Sequence, residues 1–227
     1  MLCEAYHCLF VHIPKTAGQS IERFFLERVG LAWENRAPLL LRPNADPRAG
    51  PQSLAHLTAA EYVELGYLSA DDFARYYKFA FVRNPWQRLV SEYRYRDDYV
   101  RRYTFKEFVL QGMPRAGWTD AYRHVIPQYD FLYDAQGRLL VDFVGRFEHL
   151  QADFDRVGER LGIAETALPH VNAARIPTLK SRVLGLLRGD LRPDHRPYTA
   201  YYDDETRAAV DALYRRDIET FGYAFGE

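Results

Sequence analysis

Tyr6-His7-Cys8-Leu9-Phe10-Val11-His12-Ile13-Pro14-Lys15-Thr16-Ala17-Gly18-Gln19-Ser20 changes character twice within one short stretch. Its first half is aromatic, aliphatic and β-branched, the composition of a buried strand. Pro14 to Gly18 cannot continue that strand and reads as a loop. From Gln19 to Val29, Ile21, Phe24, Phe25 and Leu26 fall on one side and Glu22, Arg23, Glu27 and Arg28 on the other, an amphipathic helix closed by Gly30. Strand, loop and helix in that order make a natural anion cradle, because the first helical N–H groups have no intrahelical partner and face the loop.

The same alternation recurs along the chain. Lys78-Phe79-Ala80-Phe81-Val82 predicts a second apolar strand, followed by Arg83 and by Asn84-Pro85, a helix cap and first-turn proline, with the helix running to about Tyr103. Thr58 can cap a short helix over 59–65, Ser69 with Asp72 another, and Thr104 with Glu107 a third. Tyr129–Tyr133 and Leu139–Val144, separated by Asp134-Ala135-Gln136-Gly137, read as a hairpin-like pair of strands. Helices are expected from Glu148 to Leu161 and from Asp203 to Phe221. Strands separated by helices argue for one α/β domain over 1–227, three-layered, with a central parallel sheet and ligand loops at the C-terminal ends of the strands. Two stretches punctuated by Pro, Gly and Arg, about 34–56 and 172–200, read as mobile loops.

Composition narrows the class of partner. The chain has 227 residues, and 30 basic against 31 acidic side chains leave a net charge of −1, so nothing global favours nucleic acid or an acidic membrane. Any anion site must be local. Among the basic residues only Lys15, Lys78, Lys106 and Lys180 are lysines; the rest are arginines, suited to bidentate grip of phosphate. Cys3 and Cys8 show neither zinc spacing nor a disulfide framework and read as buried thiols. There is no long apolar run and no signal-peptide pattern, so a cytoplasmic protein is expected, with no metal and at most peripheral membrane contact.

Two constellations carry chemistry. In the first, Lys15 supplies charge, Gly18 close backbone approach, and Thr16, Ala17, Gln19 and Ser20 hydroxyl, amide and N–H donors for a tetrahedral anion. It is not a Walker A loop, since the lysine precedes the glycine. In the second, Arg83 stands at a strand's C-terminal end and Ser91 two turns into the helix that Pro85 opens, three residues from Arg88. Alternatively, Arg83 and Arg88 pair with Glu92 and other acids on the helix face.

Taken together, His12-Ile-Pro-Lys-Thr-Ala-Gly-Gln-Ser20 and Phe81-Val-Arg-Asn-Pro-Trp-Gln-Arg-Leu-Val-Ser-Glu-Tyr93 resemble the signatures of sulfotransferases that use 3′-phosphoadenosine 5′-phosphosulfate, closest to the carbohydrate branch, sulfotransferase family 2. The likeness continues through His56-Leu-Thr-Ala-Ala-Glu61, Val141 to Leu150, His170-Val-Asn172 and Asp217 to Tyr223. It implies a P-loop-NTPase-like sulfotransferase fold. It also implies that residues 15–20 bind the 5′-phosphosulfate, that Arg83 and Ser91 bind the 3′-phosphate, and that a hydroxyl of a carbohydrate or glycoconjugate accepts the sulfuryl group by in-line displacement. Gln19 departs from the threonine frequent in that loop, replacing a hydroxyl contact with an amide.

Lys15 and His56 are the expected catalytic residues. Lys15 would stabilise the leaving oxygen, and His56, where the family carries a candidate histidine, would take the acceptor's proton. Glu61 could orient His56, and His12 reads as a packed, hydrogen-bonded histidine. Tyrosines 93, 95, 99 and 103, interleaved with Arg94, Arg96, Arg101 and Arg102, offer either a glycan surface or a core stripe. The competing functions are a nucleotide or small-molecule kinase, disfavoured by the absent Walker lysine-serine pair, and a non-catalytic nucleotide- or glycan-binding relative, disfavoured by the presence of Lys15 and His56.

Overall fold

The computed structural model describes residues 1–46, 48, 50–169 and 196–227. Four strands, β1 (Leu2–Cys3), β2 (Cys8–Val11), β3 (Tyr77–Val82) and β4 (Phe143–Arg146), form one sheet in the order β1-β2-β3-β4. β2, β3 and β4 run parallel, with Phe10 beside Phe79 and Val82 beside Arg146. β1 adds an antiparallel edge that the sequence reading lacked, pairing Cys3 with Cys8. Both cysteines are free and buried, as expected.

Side chains alternate across a strand, and here the alternation feeds two separate cores. Leu9, Val11, Ala80 and Val82 join one cluster with Trp86, Leu89, Val90 and Tyr214. Phe10, Phe79 and Phe81 join the other with Ile21, Phe24, Phe25, Phe154 and Val157. Helix α1 (Gly18–Arg28) supplies part of the second cluster. Short helices α2 (Glu61–Glu64) and α3 (Ala70–Arg75) lead into β3, the latter capped by the Ser69 side chain accepting from the Asp72 N–H. Thr58 and Glu61 exchange backbone-to-side-chain bonds at the head of α2, the reciprocal pattern of a capping box. After β3 comes α4 (Pro85–Tyr95), with Asn84 capping it as the sequence requires.

The predicted helix to Tyr103 breaks at Arg96. Its backbone is extended there, its guanidinium turns back to Glu92 and across to Asp120, and α5 (Asp97–Arg102) restarts beyond it. The capping box of Thr104 and Glu107 opens α6 (Phe105–Glu107) as expected. The hairpin expectation fails. Following α7 (Asp120–Arg123), residues Tyr129–Leu132 form a helical turn, α8, because the buried Asp217 carboxylate accepts from the N–H groups of Gln128 and Tyr129. Only one bridge, Tyr133 to Leu139, survives of the pair, while the chain from Phe143 joins the main sheet as β4. Helix α9 (Leu150–Leu161) ends at the left-handed Gly162. The single terminal helix expected is two, Asp204–Leu213 and Arg215–Phe221, divided at Tyr214, whose buried ring donates its hydroxyl to the Val125 carbonyl.

The proline-rich stretch after Trp33 is irregular, as read, but anchored: it holds 3₁₀ turns at Ala37–Leu39 and Leu54–His56, and Leu39, Leu41 and Leu54 are buried. Most of the second predicted loop, 172–200, lies outside the described residues, as do His170, Asn172, Lys180, Ser181, Arg182 and His195. No helix among the described residues is long and apolar enough to cross a membrane.

Candidate active site at the strand ends

The parallel strands deliver three loops to one edge of the sheet: residues 12–17 after β2, Arg83 after β3 and Phe147 after β4. The first loop is tightly wound. Lys15 and Ala17 have φ of 72° and 68°, left-handed conformations that L-residues adopt only when their surroundings hold them. Gly18 is dictated by packing, since a Cβ there would lie 2.0 Å from Nε2 of His12. The Thr16 hydroxyl donates to the Ile13 carbonyl at 2.8 Å, and the Ser20 N–H to the Ala17 carbonyl at 3.0 Å. Both bonds tie the loop to itself. The Lys15 ammonium lies 3.8 Å from the centroid of the exposed Tyr95 ring, and burial lowers its pKa to about 8 despite the nearby Glu92.

Arg83 bridges the loops. One terminal nitrogen donates to the Lys15 carbonyl at 3.2 Å, the guanidinium carbon lies 4.1 Å from the Phe147 ring centroid, and the backbone is clamped in both directions by the Gln128 side-chain amide. Its buried Nε has no partner among the described residues, and burial lowers its pKa to about 10. A buried guanidinium with an orphaned N–H is a group prepared for an anion. Ser91 is half-buried on α4, and no hydrogen bond joins it to Arg83 among the described residues. Arg88 is not part of a surface grip, nor does it pair with Glu92. It is fully buried and donates to the carbonyls of Pro14, Ile126 and His124 at 3.1, 3.0 and 2.9 Å, fastening the loop to the segment after α7.

Beside the loop stands a wall of three histidine–carboxylate pairs. His12 Nδ1 meets Glu22 at 2.6 Å, His56 Nδ1 meets Asp120 at 2.9 Å, and His124 Nδ1 meets Glu92 at 2.7 Å. The rings touch edge to face, His12 to His56 with centroids 5.1 Å apart and His56 to His124 at 4.9 Å. His12 is thus the packed histidine the sequence suggested. Burial lowers the His56 pKa to about 4, against the raising pull of Asp120, so the ring is neutral near pH 7. Burial pushes Asp120 the other way, but the bond from His56 and the charges of His124, His56 and Arg96 outweigh it and hold the carboxyl well below its usual range. Glu61 does not orient His56: it is bonded to Arg123 and to the Thr58 N–H.

Asp120, His124, Glu92 and Arg96 surround His56; the sequence offered His124 only as a competing histidine, Glu92 only as a partner for Arg83 and Arg88, and Arg96 only as part of a tyrosine–arginine stripe, and it did not single out Asp120. Asp120 lies 64 residues from His56 on a one-turn helix, with no motif to mark it. The ligating atoms of His56, Asp120 and His124 fall within 4.8 Å of one another, the spacing a metal ion would need. However, the Arg96 guanidinium occupies the second Asp120 oxygen at 3.1 Å, so the positive charge there is already supplied by the protein.

A cationic loop and an under-bonded arginine stand together at the carboxyl ends of a parallel sheet, backed by a neutral histidine, where open α/β sheets take their ligands. The chain belongs to the Sulfotransferase family, whose sequence model matches residues 1–224. It is therefore a transferase of the sulfuryl-transferring kind. It is also similar to an uncharacterized protein of Archaeoglobus fulgidus, 34% identical over 106 residues that cover 45% of this chain and 81% of that protein. No solved structure matches it.

Proposed function

We propose that the chain transfers a sulfuryl group from 3′-phosphoadenosine 5′-phosphosulfate to a hydroxyl of a carbohydrate or glycoconjugate. It would act as one three-layered domain in the cytoplasm. The observation that carries the reading is the bond from Arg83 to the Lys15 carbonyl, which brings two segments 68 residues apart to one site. Lys15 and the loop through Gln19 and Ser20 hold the 5′-phosphosulfate. Arg83, with its unpaired Nε, and Ser91 hold the 3′-phosphate. The acceptor oxygen attacks sulfur in line as the bond from sulfur to the 5′-phosphate oxygen breaks. The electron pair stays on that oxygen beside the Lys15 ammonium, and the acceptor proton passes to His56.

The carbohydrate acceptor is supported by Tyr95, 59% exposed beside Lys15, and by the exposure of Arg94, Arg101 and Arg102. Tyr93 and Tyr99 are core residues instead. Calorimetry tests the donor. Adenosine 3′,5′-bisphosphate should bind and ATP with magnesium should not, with Arg83→Ala weakening the former by at least about tenfold, the loss of one charge-assisted contact. The reverse preference would make the protein a kinase. Transfer of labelled sulfate to a panel of hydroxylated glycans and lipids then identifies the acceptor.

A further inference from the structure

We propose that Asp120 is the positioning residue of the reaction, holding His56 so that Nε2 alone faces the acceptor hydroxyl. The inference rests on the reading of His56 as the base and adds the group that makes it one. An ionised carboxylate only accepts, so the 2.9 Å contact fixes the proton on Nδ1 and leaves the lone pair on Nε2. Among the described residues Nε2 has no hydrogen-bond partner, and the His56 side chain is 13% exposed.

Asp120 is itself held by three neighbours. Its Oδ1 takes His56, its Oδ2 accepts from Arg96 at 3.1 Å, and its N–H donates to the Gln52 side chain at 3.0 Å. Arg96 is fixed in turn by Glu92 at 2.5 Å, and Glu92 by His124. The His56 ring is wedged between His12 and His124, so its one remaining freedom is the ring flip and tautomer that Asp120 decides. In the step, the acceptor O–H bond breaks as the oxygen bonds to sulfur. The proton moves to Nε2, and the resulting imidazolium is paired with the Asp120 carboxylate, which stays ionised throughout.

The test is a double-mutant cycle on the full chain with labelled donor and an acceptor from the panel. Asp120→Asn should lower kcat by at least about tenfold, with the affinity for adenosine 3′,5′-bisphosphate unchanged, because an amide can offer N–H to Nδ1 and select the wrong tautomer. In the His56→Ala background the same change should cost nothing further. The acid limb of kcat/KM should move to lower pH in Asp120→Asn, because burial still depresses His56 while the carboxylate that raised it is gone. Glu22, Glu92 and Arg96 stay as they are. Asp120→Glu, which keeps the charge, should recover part of the rate. A loss equal in both backgrounds, or an unmoved acid limb, overturns the proposal by making Asp120 merely structural. If His56→Ala retains turnover, the base assignment falls and this inference with it; if only Asp120→Asn is silent, the inference falls alone.

Discussion

Replacing Gly18 by alanine probes the packing that shapes the loop. The added Cβ would stand 2.0, 2.1 and 2.5 Å from three atoms of the His12 ring, where ordinary contact begins at 3.4 Å. The ring cannot retreat freely. Glu22 holds its Nδ1 at 2.6 Å, Phe10 stacks on it at 5.5 Å and His56 abuts its edge. Two responses are open. If the loop and ring each give way, the cost is that of overpacking, about 1–3 kcal/mol. If His12 leaves its place, Glu22 is stranded without its partner, at about 3–5 kcal/mol. The cheaper route wins, near the top of its range because more than an ångström must be absorbed. A domain of this length loses about 2–4 °C per kcal/mol, so Gly18→Ala should melt roughly 4–12 °C below the parent protein. Calorimetric melting gives the shift and titration with adenosine 3′,5′-bisphosphate the accompanying loss of affinity. The control is His12→Ala, in which the obstacle is gone and Gly18→Ala should cost little. An unshifted melt, or an equal penalty without the imidazole, refutes the argument.

Three further outcomes are expected. Arg88→Met should destabilise by about 3–5 kcal/mol, read in denaturant midpoints, because three interior carbonyls lose their donor together; a change under about 1 kcal/mol would show the carbonyls re-pair. Lys15 loses its proton above about pH 8, so affinity for adenosine 3′,5′-bisphosphate should fall as pH rises past that value, with proton uptake seen as buffer-dependent heats that vanish in Lys15→Ala. For Glu22, burial raises the pKa, but the charge and hydrogen bond of His12 outweigh it and hold the carboxyl low. Its stabilisation is therefore complete above the ordinary carboxylate pKa, roughly 4, and fades as pH falls through the lower folded value. The melting temperature should drop below about pH 4, and less steeply in Glu22→Gln.

The features legible in the sequence were those encoded by neighbours. β2, the loop and α1 follow from the run Tyr6 to Val29, and the Asn84-Pro85 start of α4 and the Thr104–Glu107 box from residues three apart. The Lys15 and Arg83 loops were found because strand-end position is itself a local property. What failed depended on partners distant in sequence. Residues 129–132 alternate like a strand but are turned into a helix by Asp217, and the terminal helix is divided where Tyr214 reaches Val125. Glu61 sits near His56 in sequence and goes to Arg123, while Asp120 is the carboxylate that arrives. Period and capping could not reveal such pairings, because each is made by the fold after its elements are placed.

Arg88 has an implication for how such an enzyme can diversify. By rooting one cation in the carbonyls of Pro14, His124 and Ile126, the molecule welds the Lys15 loop to the histidine-lined flank as a single chassis. Selection for new acceptors must therefore work on pieces bolted outside that chassis, such as the exposed turn around Trp118 or the ring of Tyr95, and leave the loop undisturbed.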